Sequence, residues 1–126
     1  MTATLYTSTA HRQYLDALES ARHQSDLIAA ATSAPADMPH GARYFLSADG
    51  RSGYGVTSED ALIGVFSLDR GRGDALVAGA VAHGARHLDC FDGYLPTLYA
   101  RHGFVESRRE SNWTPGGPDV VYMSRP

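Results

Sequence analysis

The chain has 126 residues, 43% apolar and 20% charged, with 11 basic against 14 acidic side chains and a net charge of −3. That length suits one domain with a single core, expected over residues 1–126. The negative balance disfavours nonspecific nucleic-acid binding, because no overall positive field gathers phosphates, though local basic patches stay open. Cys90 is the only cysteine, which excludes an intrachain disulfide and a multi-cysteine zinc cluster. No run nears the roughly 18–20 apolar residues of a membrane span, and no signal-peptide core opens the chain, so a cytoplasmic protein is expected. All basic residues are arginine, which reads as coding bias.

In chain order, residues 2–7 read as a short strand, and Ser8 or Thr9 as the cap of a first helix. Tyr14, Leu18, Ala21, Ser25 and Ile28 recur at alternating spacings of four and three, one helical stripe. His23-Gln24-Ser25-Asp26 is expected to break it into two helices. Residues 33–40, with Pro35 and Pro39, form a loop. Strands follow at 42–48, 54–57 and 61–68, separated by the turns Asp49-Gly50 and Ser58-Glu59-Asp60. The last of these strands, the most apolar, is expected to be central.

Residues 74–83 read as a helix closed by Gly84, residues 87–91 as a strand, and Asp92 as the cap of a second helix ended by His102-Gly103. Each helix ends in His-Gly, a cation near the negative dipole end and then a residue that tolerates the left-handed cap. Residues 104–110 and 119–124 read as the last two strands. Strands, hairpins and crossover helices in this order predict an α/β (α+β) fold, a mixed, mostly antiparallel sheet of about seven strands flanked by helices.

The most telling segment is Asp69-Arg70-Gly71-Arg72-Gly73-Asp74-Ala75. A strand entering a glycine-rich turn and then a helix puts unpaired N–H groups and a positive dipole end at one point, an anion site suited to phosphate. Further on stands Leu98-Tyr99-Ala100-Arg101-His102-Gly103-Phe104. Together the two segments resemble the signatures of the GCN5-related N-acetyltransferase superfamily, and the element order is similar too.

The resemblance implies that fold and acyl transfer from coenzyme A, acetyl-CoA above all, to an amine. Arg70, Gly73 and Ala75 match the family's donor motif, and Phe66, Ser67, Leu68, Gly71 and Arg72 join them as expected cofactor-binding residues. Small residues let a pyrophosphate approach the backbone, and arginine adds charge. Asp74 stands where the family usually has an apolar residue, and reads alternatively as an N-cap occupying those amides itself. Asp92, Tyr99 and Gly103-Phe104 match the second motif. Tyr99 would protonate the leaving thiolate, or else serve as a core residue four places after Leu95. N–H groups near residues 66–68 would stabilise the oxyanion.

Asp89 and Asp92 are the expected proton acceptors and amine-binding carboxylates, and Trp113 a substrate-stacking residue. Cys90 alternates with Leu88 and reads as packed. His87 is a candidate base if it faces the cleft. The six histidines lack zincin spacing, so no metal is expected. The expected acceptor is a small-molecule or peptide amine, and the protein a monomer or homodimer without membrane attachment. Two alternatives remain: a noncatalytic module on this fold, or modification of a nucleobase or aminoacylated RNA through Arg101, Arg108 and Arg109.

Overall fold

The computed structural model describes residues 5–126. Strand β1 (Tyr6–Thr9) leads into helices α1 (His11–Gln24) and α2 (Asp26–Ala31), then a short 3₁₀ turn, Pro35–Asp37. Strands β2 (Arg43–Ser47), β3 (Ser52–Val56) and β4 (Leu62–Ser67) follow. Helix α3 (Gly73–Ala82), β5 (His87–Phe91), α4 (Tyr94–Ala100), β6 (Val105–Glu110) and β7 (Val120–Ser124) complete the order. Among the described residues no helix is long and apolar enough to cross a membrane.

Two local expectations fail near the start. The first strand runs from Tyr6 to Thr9, and the 2–4 part of its expected span lies outside the described residues. Neither Ser8 nor Thr9 caps α1, because both belong to β1. Ala10 takes the N-cap place with no side-chain bond, and the Thr9 hydroxyl turns to Gln13 Oε1 at 2.9 Å. The break between the first two helices falls at Ser25 as expected. Its N–H closes α1 on the Ala21 carbonyl, and its hydroxyl accepts the Ile28 N–H, so one residue ends one helix and caps the next.

The seven strands form two sheets rather than one mixed sheet. A four-stranded sheet has the order β1-β2-β3-β4 and a three-stranded one β5-β7-β6, every pairing antiparallel. They meet at one parallel bridge, Ala61 opposite His87, where the Asp60 carbonyl accepts N–H groups from Arg86 and His87. Beyond that point no ladder joins β4 to β5.

The cause lies within β4. Gly64 has a φ of +57°, and the register slips by one residue there: Gly55 faces Ile63, but Gly53 faces Phe66. An extra residue on one strand bends it and increases its twist, so β4 diverges from β5. Fully buried Tyr14 of α1 holds the bulge, donating its hydroxyl to the Gly64 carbonyl at 2.5 Å.

Two apolar clusters flank the sheets. On one face α3 and α4 pack Val77 and Tyr99 against Phe45, Tyr54, Leu62 and Val121. On the other α1 and α2 pack Tyr14, Leu18 and Ile28 against Tyr44 and Phe66. The second cluster draws nothing from β5, β6 or β7, and β6 is exposed along its length. One face of the second sheet is therefore open.

Gly64→Ala tests the bulge. A Cβ there would stand 2.2 Å from the Tyr14 hydroxyl and 2.5 Å from Met38 Cε, on a backbone that L residues rarely adopt. Urea unfolding should show a loss of about 2–4 kcal/mol, against about 1 kcal/mol for Tyr14→Phe. A Gly64→Ala loss below about 0.5 kcal/mol, an ordinary surface effect, would contradict this account.

Candidate functional site

The gap between β4 and β5 is a cleft of about 580 Å³. Its walls are β4 from Ile63 to Ser67 and β5 from Leu88 to Phe91. Leu76, Leu98 and Tyr99 enter from the α3 and α4 side, while α2 and Trp113 border it on the other. The lining is mostly apolar with a few polar groups, as small-molecule sites generally are. The lining thus draws on elements from both faces of the sheets.

Tyr99 is 4% exposed. It packs edge-on to Phe104, ring centroids 5.9 Å apart, and its hydroxyl bonds no protein group among the described residues. Burial raises its pKa, with the nearby Cys90 and Asp89 adding to the effect. The phenol therefore stays protonated through the neutral range. Cys90 also lines the cleft, and burial, then Asp89 and Asp92, push its thiol up to about 11. Tyr99 is thus a buried residue of the α3 and α4 cluster that also lines the cleft.

The three expected backbone donors differ. Leu68 gives its N–H to the Arg51 carbonyl at 2.8 Å and is unavailable to a ligand. In an antiparallel ladder, N–H groups of alternate pairs point inward and outward. Phe66 opposite Gly53 therefore faces β3, and Ser67 opposite Ser52 turns its N–H to the open edge. Of residues 66–68, Ser67 alone offers an amide to the cleft.

In the donor loop, Gly71 has a φ of +83° and no atom stands within 4 Å of where its Cβ would be. Arg72 is engaged by protein groups. Its guanidinium bonds Asp49 at 2.7 Å, Asp69 at 3.2 Å and Ser52 Oγ at 3.1 Å, pinning the loop to the β2–β3 turn. Hydrogen bonds from the Arg72 guanidinium, then the Ser47 hydroxyl and the Arg51 N–H, hold the Asp49 carboxyl well below its usual range. This stabilisation is present above the ordinary carboxylate pKa and is lost as pH falls through the depressed one.

Asp74 does not cap α3 either. Arg72 occupies the N-cap place without a side-chain bond, while Asp74 bonds His102 at 2.8 Å and Arg101 at 3.3 Å. The first amides of α3, at residues 73–75, are left without a side-chain acceptor. Arg70 is exposed and makes no ion pair among the described residues.

No protein-family model, curated protein or solved structure matches this chain.

The two expected carboxylates part company. Asp92, expected as a helix cap, proton acceptor and amine ligand, does not cap α4: Gly93 holds the N-cap place with a φ of +131°. Asp92 pairs with Arg109 at 2.9 Å, a bond that lowers its pKa, and it is absent from the cleft lining. Asp89 does line the cleft and has no ion pair among the described residues. Trp113 is 79% exposed at the mouth, its ring 6.4 Å from that of Phe91. His87 turns its Nε2 to the Glu59 carbonyl at 2.7 Å, away from the cleft. Sequence reasoning missed the Gly64 bulge, Phe91 and the wall built by α2. A lone glycine inside an apolar strand was the available signal for the first.

Cys90, being the only cysteine, reports on the cleft. Its alkylation by iodoacetamide should accelerate with pH to a midpoint near 11, well above the ordinary thiol. A midpoint near the ordinary value of 9.0 would show that the cleft is not a desolvated space.

Proposed function

We propose that this chain is a member of the GCN5-related N-acetyltransferase superfamily that transfers an acyl group, acetyl above all, from coenzyme A to an amine. The observation that carries this reading is the cleft between β4 and β5. It combines an open strand edge, a neighbouring helix N-terminus without a cap, and a tyrosine hydroxyl without a partner. The order of strands and helices, which the resemblance also implied, supports it.

The residues present suit an acyl-CoA. The amides of residues 73–75 and the free Arg70 would hold the pyrophosphate, and the bare backbone at Gly71 permits close approach. Bound there, the thioester supplies an acyl carbon open to nucleophiles and a thiol leaving group. Arg72, expected as a ligand, is assigned instead to anchoring the loop.

Asp89, directly or through one water, takes a proton from the incoming ammonium and frees the nitrogen lone pair. As that pair forms the new C–N bond, the Ser67 N–H steadies the charge growing on the carbonyl oxygen. The C–S bond breaks with its electron pair on sulfur, the Tyr99 hydroxyl donates its proton there, and the surplus proton on the newly bonded nitrogen passes through water to restore the Tyr99 hydroxyl. The balance is amine plus thioester giving amide plus thiol. Transfer to RNA is less well supported, because Arg101, Arg108 and Arg109 are each engaged by carboxylates.

Calorimetry with acetyl-CoA should show saturable binding that weakens about tenfold or more in Arg70→Glu, where a repelling charge replaces an attracting one. Tyr99→Phe should bind with nearly unchanged affinity while coenzyme A release falls by about 10²-fold. Equal binding by Arg70→Glu would remove the donor assignment. Binding without turnover in the wild type would favour a noncatalytic module.

A further inference from the structure

We infer that the acceptor is an apolar monoamine, a single ammonium group on an aromatic or hydrocarbon body. This rests on the acyl-transfer reading and narrows it to a substrate class.

Side-chain alternation along β5 divides the cleft. Leu88 and Cys90 pack into the cluster built by α3 and α4 with Tyr99, so Asp89 and Phe91 point toward the opposite face. Tyr99 and the uncapped end of α3 belong to one side; Asp89, Phe91, Trp113 and α2 belong to the other. A thioester entering from the first side leaves the second for the acceptor.

The charges on that second side are decisive. Among the described residues, the cleft lining contains one carboxylate, Asp89, and no arginine. The other acids of this sheet stand outside the lining and are engaged by arginines: Arg109 reaches Asp92, Glu106 and Asp119, and Arg108 pairs with Glu110. A single cation therefore finds a partner. Within the lining a polyamine would leave further ammonium groups without a carboxylate, and an amino acid or phosphorylated amine would bring an anion with no cation to receive it.

The rest of this half is apolar. Leu27 of α2, 83% exposed, and Trp113, 79% exposed, are both mouth residues, and Phe91 lies beside the tryptophan. With the apolar lining behind them, these side chains give a hydrocarbon or aromatic body apolar surface to cover. Aromatic faces also attract an ammonium.

The test uses 2-phenylethylamine as probe and Trp113, the only tryptophan, as reporter, with the chain loaded with coenzyme A and without it. Adding the amine should change Trp113 fluorescence saturably, and Asp89→Asn should weaken that response by about tenfold or more. Spermidine and phenylalanine should produce no comparable saturation. In the acetyl-CoA assay, 2-phenylethylamine should release coenzyme A faster than spermidine, phenylalanine or a short peptide. Saturable Trp113 binding without coenzyme A release would overturn the transferase reading and leave the monoamine site standing. Faster release with spermidine, phenylalanine or the peptide would overturn the monoamine inference and leave the transferase reading standing. A response unchanged in Asp89→Asn would likewise overturn the inference.

Discussion

The hydrogen bond from Tyr14 to the Gly64 carbonyl fastens the one irregularity on which the arrangement of the two sheets depends. A regular β4 would pair with β3 on one edge and offer β5 a straight partner on the other, closing the space between the sheets. The extra residue at Gly64 bends β4, and the glycine is required because its φ is positive and Tyr14 fills the space of a side chain. Helix α1 is thus more than a cover for the sheet. It carries the tyrosine that keeps the cleft open.

A second constraint sets the loop after β4. Arg72 joins Asp49 and Asp69, and Arg51 reaches Asp69 as well. This network ties the loop to the β2–β3 turn and settles where α3 begins. On the far side, Asp74 joins α3 to His102 and Arg101 beyond α4. Pairs this exposed contribute little stability individually; their effect is on orientation, holding the uncapped end of α3 beside the cleft while leaving Arg70 free.

What the sequence made legible was local. The stripe of Tyr14, Leu18 and Ala21 located the buried face of α1, and Ser25 marked the helix break through capping chemistry that needs only three neighbours. The glycines after His83 and His102 adopt positive φ as expected. The succession of elements along the chain was also readable from alternation and turn residues, but β4, expected to be central from its apolar run, lies at a sheet edge. The division into two sheets was not, because it depends on a register slip between β3 and β4 and on Tyr14, fifty positions from Gly64. The same holds for charged side chains. Arg72 and Asp74 looked like ligand and cap because of their neighbours in sequence, but Asp49 and His102, distant in sequence, claim them. Asp92 had the right spacing for a helix cap, yet Arg109 from β6 holds it elsewhere. Asp89 was separable from Asp92 only when both partners were in view.

The most direct test of the central claim, that the opened cleft receives an acyl-CoA, is amide chemical-shift mapping as coenzyme A is added. The account predicts the largest shifts at Ser67, at residues 73–75 and around Tyr99, with little change in β1 or in the β2–β3 turn. Shifts centred elsewhere, or none at millimolar coenzyme A, would contradict it.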